Sequence, residues 1–547
     1  MGLLRAGPVS KAFKLSSVLA SAIFAAACAG ENDTQAERSE GTSLVLSGTK
    51  PGVRLDPHMD AQWEVIYVLS AVYDTLVETD ENGETQPRLA SAWRVSADGL
   101  SYTFDLRNDI SFHDGAPFNA AAVKFNFDRI RKLGPQSLKA RSLLPDFETV
   151  EIVSPFRIRF VLTQPDSSFL YSLSLPYLGM VSPQAAERWG DQYHHHQAGT
   201  GAFAFAEYNV GEFYRLQRNR DNQWQDETGK AVEKAIVEEV VWRFLPEPST
   251  RSPALASGDI DIAFDLDPVD AEALESSENV FISRAYLSGQ PAFWFINAER
   301  PPTDDIRVRQ AILYGADMDA AVKAITRGYN PRAFGPLSAV TPGYSQELQS
   351  MYNHDPAKAR ALLEAAGWVD EDGDGVREKE GRRLTIEMSM VTWGKSRMFS
   401  ELLYSQLRSI GIDLKLEMMD FSVQMEAGRR SEKNMLFMGG SGHSAADSLR
   451  GYFHSDNVPS GFAWSKFADP EIDAYLNEAV LVTDRAVRDD LYGKAQMRIM
   501  EQALILPIYD YVLLVGVNNR VEGLKWGIAG LAPNLDELAL DQTAVSQ

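Results

Sequence analysis

The chain has 547 residues, of which 44% are apolar and 10% aromatic, with a formal charge of −23 and one cysteine. This is the composition of a large globular protein, and the length corresponds to roughly three or four domains. Its acidic character repels phosphate backbones, so we exclude nucleic acid as a partner. A body of this size buries enough apolar surface to fold without disulfides.

The first 27 residues have the layout of a secretory signal peptide. Arg5, Lys11 and Lys14 precede the apolar run 15–27, which ends at Cys28. A helix needs about 20 apolar residues to cross the hydrocarbon core, so we expect this shorter run to be removed after export. The small residues before Cys28 resemble a bacterial lipobox, which implies that Cys28 becomes the lipidated first residue. A plain signal peptide with an unrelated cysteine is the alternative.

Residues 28–43 contain no aromatic and no large aliphatic side chain but several charges. Such a segment buries too little surface to order itself, which predicts a flexible tether. A chain of this length reaches roughly 20 Å, enough to hold a globular body close to a membrane.

The body of the protein begins with a predicted strand at residues 43–48. Further along, Asp98-Gly99 predicts a hairpin turn between two alternating apolar segments, and Asn119 predicts the start of a helix. His113-Asp114 is tempting as an acid/base pair. A turn aspartate before glycine is far more common, so we interpret it as a loop.

Several motifs in a fixed order carry a family resemblance. The chain resembles the extracytoplasmic solute-binding proteins of ABC importers, specifically family 5, the peptide- and nickel-binding class. The resemblance covers nearly the whole mature chain, and its motifs are Val72–Leu76, Pro87–Trp93, Ser96–Gly99, Phe112–Phe118, Gly199–Phe203, Leu255–Asp261, Arg300–Ile312, Phe467–Asp473 and Leu506–Tyr509.

The resemblance implies an α/β protein with the bilobed periplasmic-binding-protein fold of the large three-domain type. The ligand cleft then lies between two lobes that are joined by a hinge. The implied segments are a signal peptide (1–27), the tether (28–43), a discontinuous domain I (44–82, 194–288 and 509–541), an extra domain II (83–193) and a domain III that forms the second lobe (289–508).

The ligand depends on the cleft, because one fold hosts many ligands. In peptide-binding members, an aspartate that pairs with the peptide's amino terminus follows a strand like Met435–Met438. Here His443 or Ser444 stands near that place, and Asp447 is the candidate substitute. Losing this carboxylate leaves the ammonium poorly compensated, so ordinary peptides require Asp447 in its role.

Nickel-binding members grip a carboxylate with an arginine after a Leu-Pro pair, and the residue in that place here is Tyr177. A tyrosine cannot make the bidentate charged contact of an arginine. Two further candidates have structural alternatives: Trp464 as an aromatic wall or a core residue, and Asp447 as a ligand or as the cap of a helix starting at Ser448. The candidate ligand-binding residues are Tyr177, His443, Ser444, Asp447 and Trp464.

Two other segments look like metal sites. Adjacent side chains on an extended chain point in opposite directions, so His194-His195-His196 cannot close a tetrahedral site alone, and we interpret it as a solvated loop. The acidic segment beginning at Asp370 resembles a calcium loop, but Gly381 stands where the bidentate glutamate belongs. We expect no metal and no cofactor.

Together these features predict a lipid-anchored monomer in the periplasm or at the cell surface. It captures a peptide or peptide-like solute and delivers it to an ABC permease whose ATPase subunits are separate chains. Nickel-chelate binding and a role in signalling to a receptor are alternatives. A secreted hydrolase is less favoured, because Gly440-Ser441-Gly442-His443 does not form a nucleophile elbow, and we expect no enzyme activity.

Overall fold

The computed structural model describes residues 43–541, apart from 53, 61, 81–82, 222–223, 226–230, 233–235, 441–443, 459–460 and 527–532. The predicted signal peptide, Cys28 and nearly all of the tether lie outside the described residues. Three large sheets organise the described chain, one with seven strands, one with four and one with five. No helix among the described residues is both long and apolar enough to span a bilayer.

The seven-stranded sheet is the centre of the first lobe. Its predicted first strand, Ser43–Gly48, is confirmed, and it pairs in parallel with neighbours on both sides. All six of its residues are buried, because helices and loops cover both faces. In spatial order the strands are Val280–Tyr286, Val512–Asn518, Ile262–Ala263, Ser43–Gly48, Glu239–Phe244, Phe213–Arg218 and Phe203–Asn209.

The four-stranded antiparallel sheet belongs to the same lobe. The hairpin predicted at Asp98-Gly99 is confirmed, with Gly99 in the left-handed region at φ 70°. The helix predicted from Asn119 is also confirmed, since the Asn119 side chain accepts a hydrogen bond from the amide of Ala122 at 3.0 Å. The strands are, in order, Ala90–Val95, Ser101–Leu106, Arg157–Leu162 and Phe147–Ser154.

The five-stranded sheet forms the second lobe with its own core. Three neighbouring strands run parallel and are followed by helices, so their carboxyl ends lie along one edge. In spatial order the strands are Asp413–Met419, Thr385–Val391, Met435–Met438, Ala292–Ile296 and Ile505–Tyr509.

Helices cover the sheets of both lobes. Those of the first lobe are Trp63–Val72, Ala120–Leu133, Leu138–Ser142, Phe169–Ser172, Pro183–Trp189, Pro248–Ala256 and Pro268–Leu274. Those of the second lobe are Ile306–Gly315, Met318–Thr326, Pro356–Ala365, Ser396–Arg408, Phe421–Arg429, Ala445–Phe453, Pro470–Leu481 and Arg485–Glu501. The buried apolar side chains form three separate clusters, one for each large sheet. The exact bounds of the three domains stay a prediction.

The chain passes between the lobes at two connections. The first joins the strand ending at Tyr286 to the strand beginning at Ala292, and the second joins Tyr509 to Val512. The two connections touch, because the amide of Leu287 donates a hydrogen bond to the carbonyl of Tyr511 at 3.0 Å. The lobes are therefore joined at one narrow place.

A buried ion pair ties the helix Ala120–Leu133 to the segment before the first helix. The Arg129 guanidinium donates to both carboxylate oxygens of Asp56, at 3.0 and 2.5 Å, and to Nδ1 of His58 at 2.8 Å. Burial of the ring lowers the pKa of His58 to about 3, so His58 stays neutral and accepts this bond.

We predict that Arg129→Ala lowers the free energy of unfolding by about 3–5 kcal/mol, because it leaves the Asp56 carboxylate buried without its cation. Lys124 in the same helix pairs with Asp128 at an exposed site. Lys124→Ala is the control and is expected to cost less than about 0.5 kcal/mol. Denaturant titration of both variants measures the difference, and equal costs would contradict this assignment.

Candidate functional site: a cavity between the lobes

A cavity of about 300 Å³ lies where the two lobes face each other, close to the connections. Its volume is at the lower end of the range for small-molecule sites. Both lobes and the first connection contribute polar groups to its wall. These are Glu84, Thr85, Ser167, Ser168 and Tyr171 from the first lobe, Ser288 from the connection, and Ser444, Thr483, Arg485, Arg488, Asp489 and Tyr492 from the second lobe.

The lobes also contact each other directly around this cavity. The amide of Ser167 donates to the carbonyl of Val480 at 3.1 Å. At another point of the interface, the Lys395 ammonium lies 3.5 Å from a carboxylate oxygen of Asp267. The structure is therefore an arrangement in which the lobes are together.

Asp447 lies at the start of the helix Ala445–Phe453, beside the cavity. Ser444 is the N-cap: its hydroxyl accepts from the amide of Asp447 at 3.1 Å and donates to Oδ2 of Asp447 at 2.8 Å. The expected helix start at Ser448, with Asp447 as its cap, is wrong. Asp447 stands inside the helix because Ser444 provides the cap three residues earlier.

The negative charge of Asp447 shifts the pKa values of groups in both lobes. Burial raises the pKa of this carboxyl, while the Ser444 hydrogen bond and the Lys139 ammonium lower it. Its negative charge also acts on the phenols of Tyr171 and Tyr492, which line the cavity from opposite lobes. Asp447 is thus a half-buried carboxylate next to the cavity.

Lys139 is a functional candidate that no sequence motif marks. It lies in the short helix Leu138–Ser142 of the first lobe, and its ammonium is 5.7 Å from the ring centroid of Tyr177. Burial lowers the pKa of Lys139, and the Asp447 carboxylate across the cleft raises it. The fold therefore brings a cation from one lobe close to an anion from the other.

Tyr177 itself is 4% exposed and packs in the apolar core around the four-stranded sheet. It is not part of the cavity wall. Its ring instead supports the Lys139 ammonium.

Arg488 is a second candidate that no motif marks. Its side chain lines the cavity from the helix Arg485–Glu501 and is half-buried. Among the described residues, no carboxylate lies within ion-pair distance of its guanidinium. A half-buried guanidinium in a ligand-sized cavity suits an anionic ligand group.

Trp464 is a core residue, which corrects the expectation that it forms an aromatic wall. It is 1% exposed and its ring packs against Phe295 and Phe462. The indole also covers Gly428, where a Cβ atom would lie 2.5 Å from the ring. His443 lies outside the described residues.

Both metal-like segments lie at the surface, with His195 and His196 exposed and His194 half-buried. Gly190–His195 form a 3-10 helix, so the expected loop is wrong for this segment. The rings of His194 and His195 are 4.0 Å apart, and that of His196 stacks on Trp189 at 3.5 Å. In the acidic segment, the carboxylates of Asp370, Asp372 and Asp374 lie within 4.8 Å of one another and are all exposed. Amides of the same loop occupy the Asp370 oxygens, as in an ordinary acidic turn.

Comparison with protein families finds a match over residues 84–460 to the bacterial extracellular solute-binding proteins of family 5 (middle region). The chain belongs to this family. Family 5 proteins are the extracytoplasmic solute-binding components of ABC importers, and the chain therefore is a solute-binding protein. The bilobed α/β fold with a ligand cleft that the sequence predicts is confirmed.

Individual relatives of this family 5 chain differ in ligand. The glutathione-binding protein GsiB of Salmonella choleraesuis (strain SC-B67) is 30% identical over 466 residues, which is 83% of this chain and 86% of GsiB. NikA from Brucella suis, solved with Fe(III)-EDTA, is 26% identical with a TM-score of 0.80, covering 91% of this chain and all of NikA. DppA from Helicobacter pylori, solved with the peptide STSA, is 25% identical with a TM-score of 0.73, and the match covers 92% of this chain and 99% of DppA.

We predict that Trp464→Ala destabilises the second lobe, because it removes a buried indole from the core. The expected loss in the free energy of unfolding is about 3–5 kcal/mol. The exposed Phe156→Ala is the control and is expected to change stability by less than about 0.5 kcal/mol. Thermal or denaturant unfolding measures the stability of both variants. Unchanged stability of Trp464→Ala would contradict the core assignment and would favour the expected position of the indole in the cleft wall.

Proposed function

We propose that this protein captures a small peptide or peptide-like solute between its lobes and delivers it to an ABC permease. The observation that carries the proposal is the pair of separated charges beside the cavity, Asp447 and Arg488. A zwitterionic solute with an ammonium and a carboxylate matches both.

Asp447 is the proposed partner of the ligand's ammonium. Its carboxyl is partly desolvated, which raises its pKa, and an incoming ammonium would restore the ionised form. The charge-assisted hydrogen bond that results is about twice as strong as a neutral one. Asp447 thereby substitutes for the aspartate that peptide-binding members carry, and Ser444 orients it.

Arg488 is the proposed partner of the ligand's carboxylate. Its planar guanidinium can hold a carboxylate through two parallel hydrogen bonds. Lys139, supported on the Tyr177 ring, adds positive charge from the first lobe. Since Lys139 and Asp447 come from different lobes, a ligand between them interacts more strongly when the lobes are together, and this differential contact drives closure about the connections.

Binding of a metal chelate is the second candidate, supported by the likeness to NikA. Tyr177 speaks against it, because the residue that would grip a chelate's carboxylate is a buried tyrosine. A hydrolase would need a serine beside a histidine base. The described cavity wall contains no such pair, and we propose that the protein has no catalytic activity.

The protein is proposed to act as a monomer.

We predict that Asp447→Asn weakens peptide binding by about 10- to 100-fold, because a bond to a charged group contributes about 1.5–3 kcal/mol. Di- and tripeptides are first screened by thermal shift, and the best binder is measured by calorimetry. The N-acetylated form of this peptide lacks the ammonium. Acetylation should weaken binding to the wild type by the same free energy as the Asp447→Asn substitution does, and it should not weaken binding to the variant further. Asp490→Asn, at an exposed pair with Lys494, is the control. Full affinity in Asp447→Asn would refute the assignment.

We also propose that Cys28 anchors the protein to a membrane through lipid. We predict that the wild-type protein partitions into the detergent phase of Triton X-114. Mass spectrometry of its amino-terminal peptide should show the added mass of a lipid. Cys28→Ser should move the protein to the aqueous phase, whereas Glu31→Gln should not. Aqueous partition of the wild type would point to a plain signal peptide.

A further inference from the structure

The second connection between the lobes contains a buried carboxyl group, Asp510. Its amide donates to the carbonyl of Pro331 at 2.9 Å, and its carbonyl accepts from Nδ2 of Asn330 at 2.9 Å. Its side-chain Oδ2 accepts from the amide of Ala339 at 3.0 Å. Asp510 is therefore bonded to two separate stretches of the second lobe at the place where the chain leaves that lobe.

The carboxyl of Asp510 is only partly satisfied. The residue is 4% exposed, and its Oδ1 atom has no hydrogen-bond partner among the described residues. An ionised carboxylate in this position lacks the solvation it has in water. Burial accordingly raises the pKa of Asp510 to about 7.

The cation whose charge acts on Asp510 is Arg332. The Arg332 Nη1 atom donates to the carbonyls of Pro507 and Ile508, at 2.6 and 3.3 Å, while its Nε atom has no acceptor within the described chain. Burial lowers the pKa of Arg332 to about 10. Among the described residues, the connection thus holds a carboxylate oxygen without a donor, and the neighbouring Arg332 holds a guanidinium nitrogen without an acceptor.

Other titratable groups complete the surroundings. The phenol of Tyr344 feels the charges of both Asp510 and Arg332. Asp317 and Asp319 act on Arg332 and partly offset its positive charge. The flanking phenols of Tyr509 and Tyr511 are buried, and burial raises the pKa of each. In the part of the chain that the structure describes, Arg332 is therefore the cation that acts on Asp510, and backbone carbonyls accept its hydrogen bonds.

We propose that Asp510 makes closure of the lobes depend on protons: its neutral form stabilises the closed arrangement, and its ionisation loosens the connection and favours opening. The inference rests on the proposed capture of solute between the lobes. An exported protein meets the pH of its surroundings, so such a group would tune uptake to external acidity.

The sign follows from linkage. In the closed arrangement Asp510 keeps its proton up to pH about 7, whereas a hydrated aspartate ionises near pH 3.9. The proposal includes that opening hydrates the connection, in which case the closed form binds more protons than the open form between these values. Closure, and with it ligand affinity, is therefore favoured at acidic pH, weakens as the pH rises towards 7, and is constant above it.

Two ligand-free measurements on the mature protein test the inference. Small-angle X-ray scattering between pH 5 and 8.5 is expected to show a radius of gyration that rises as the pH approaches 7. The Asp510→Asn variant, which is neutral at every pH, should stay compact throughout. Infrared difference spectra should show a carboxylic-acid band that disappears near pH 7 in the wild type and is absent from Asp510→Asn.

Arg332→Gln gives a directional test, because removing the cation disfavours the ionised carboxylate and should shift both transitions upwards by about one pH unit. The control Asp490→Asn should leave them unchanged. Identical profiles in wild type and Asp510→Asn would overturn the proposal. Should both connection variants fail to fold, absence of a carboxylic-acid band titrating near pH 7 in the wild type would overturn it alone. These readouts need no ligand, so a failure of peptide binding is seen separately in calorimetry.

Discussion

The two lobes depend on one constraint: the chain crosses between them twice, at connections that touch each other through the Leu287–Tyr511 hydrogen bond. Two adjacent crossings leave the lobes free to rotate about a common line but not to separate. The same crossings place Ser288 in the cavity wall, so the cavity is bounded by a connection and by both lobes. A ligand that contacts both lobes there is proposed to favour the arrangement in which they are together.

Buried charges in this protein fall into two kinds that differ in how fully they are paired. Arg129 and Asp56 satisfy each other with two hydrogen bonds, and such a pair holds structure together. Among the described residues, the Asp447 side chain is hydrogen-bonded by Ser444, and no carboxylate lies within ion-pair distance of Arg488 at the cavity wall. Desolvated charges that the protein leaves unpaired are costly, and a ligand that pairs them recovers this cost as binding energy.

The sequence predicted two kinds of feature: local structure set by neighbouring residues, and the overall fold indicated by long family motifs. The Asn119 cap and the hairpin at Asp98-Gly99 follow from short-range chemistry, and both are present as predicted. Trp464 could not be placed, because burial in a core depends on which elements pack around it. Lys139 and Arg488 were missed for the same reason, since Lys139 comes near Asp447 and Arg488 reaches the cavity wall only after distant segments fold together.

Tyr177, the residue after Leu175-Pro176, shows how a binding cleft can lose an arginine at one position and still have a positive charge nearby. An arginine there would carry its cation on a long side chain into the cleft. Here Tyr177 is buried in the core, and its ring instead supports the ammonium of Lys139. The positive charge is thus supplied from a neighbouring helix and as a compact ammonium, which cannot form the bidentate contact of a guanidinium. Bidentate recognition of a carboxylate is then proposed for Arg488 of the second lobe, which also carries Asp447, while Lys139 is the charged group that the first lobe adds.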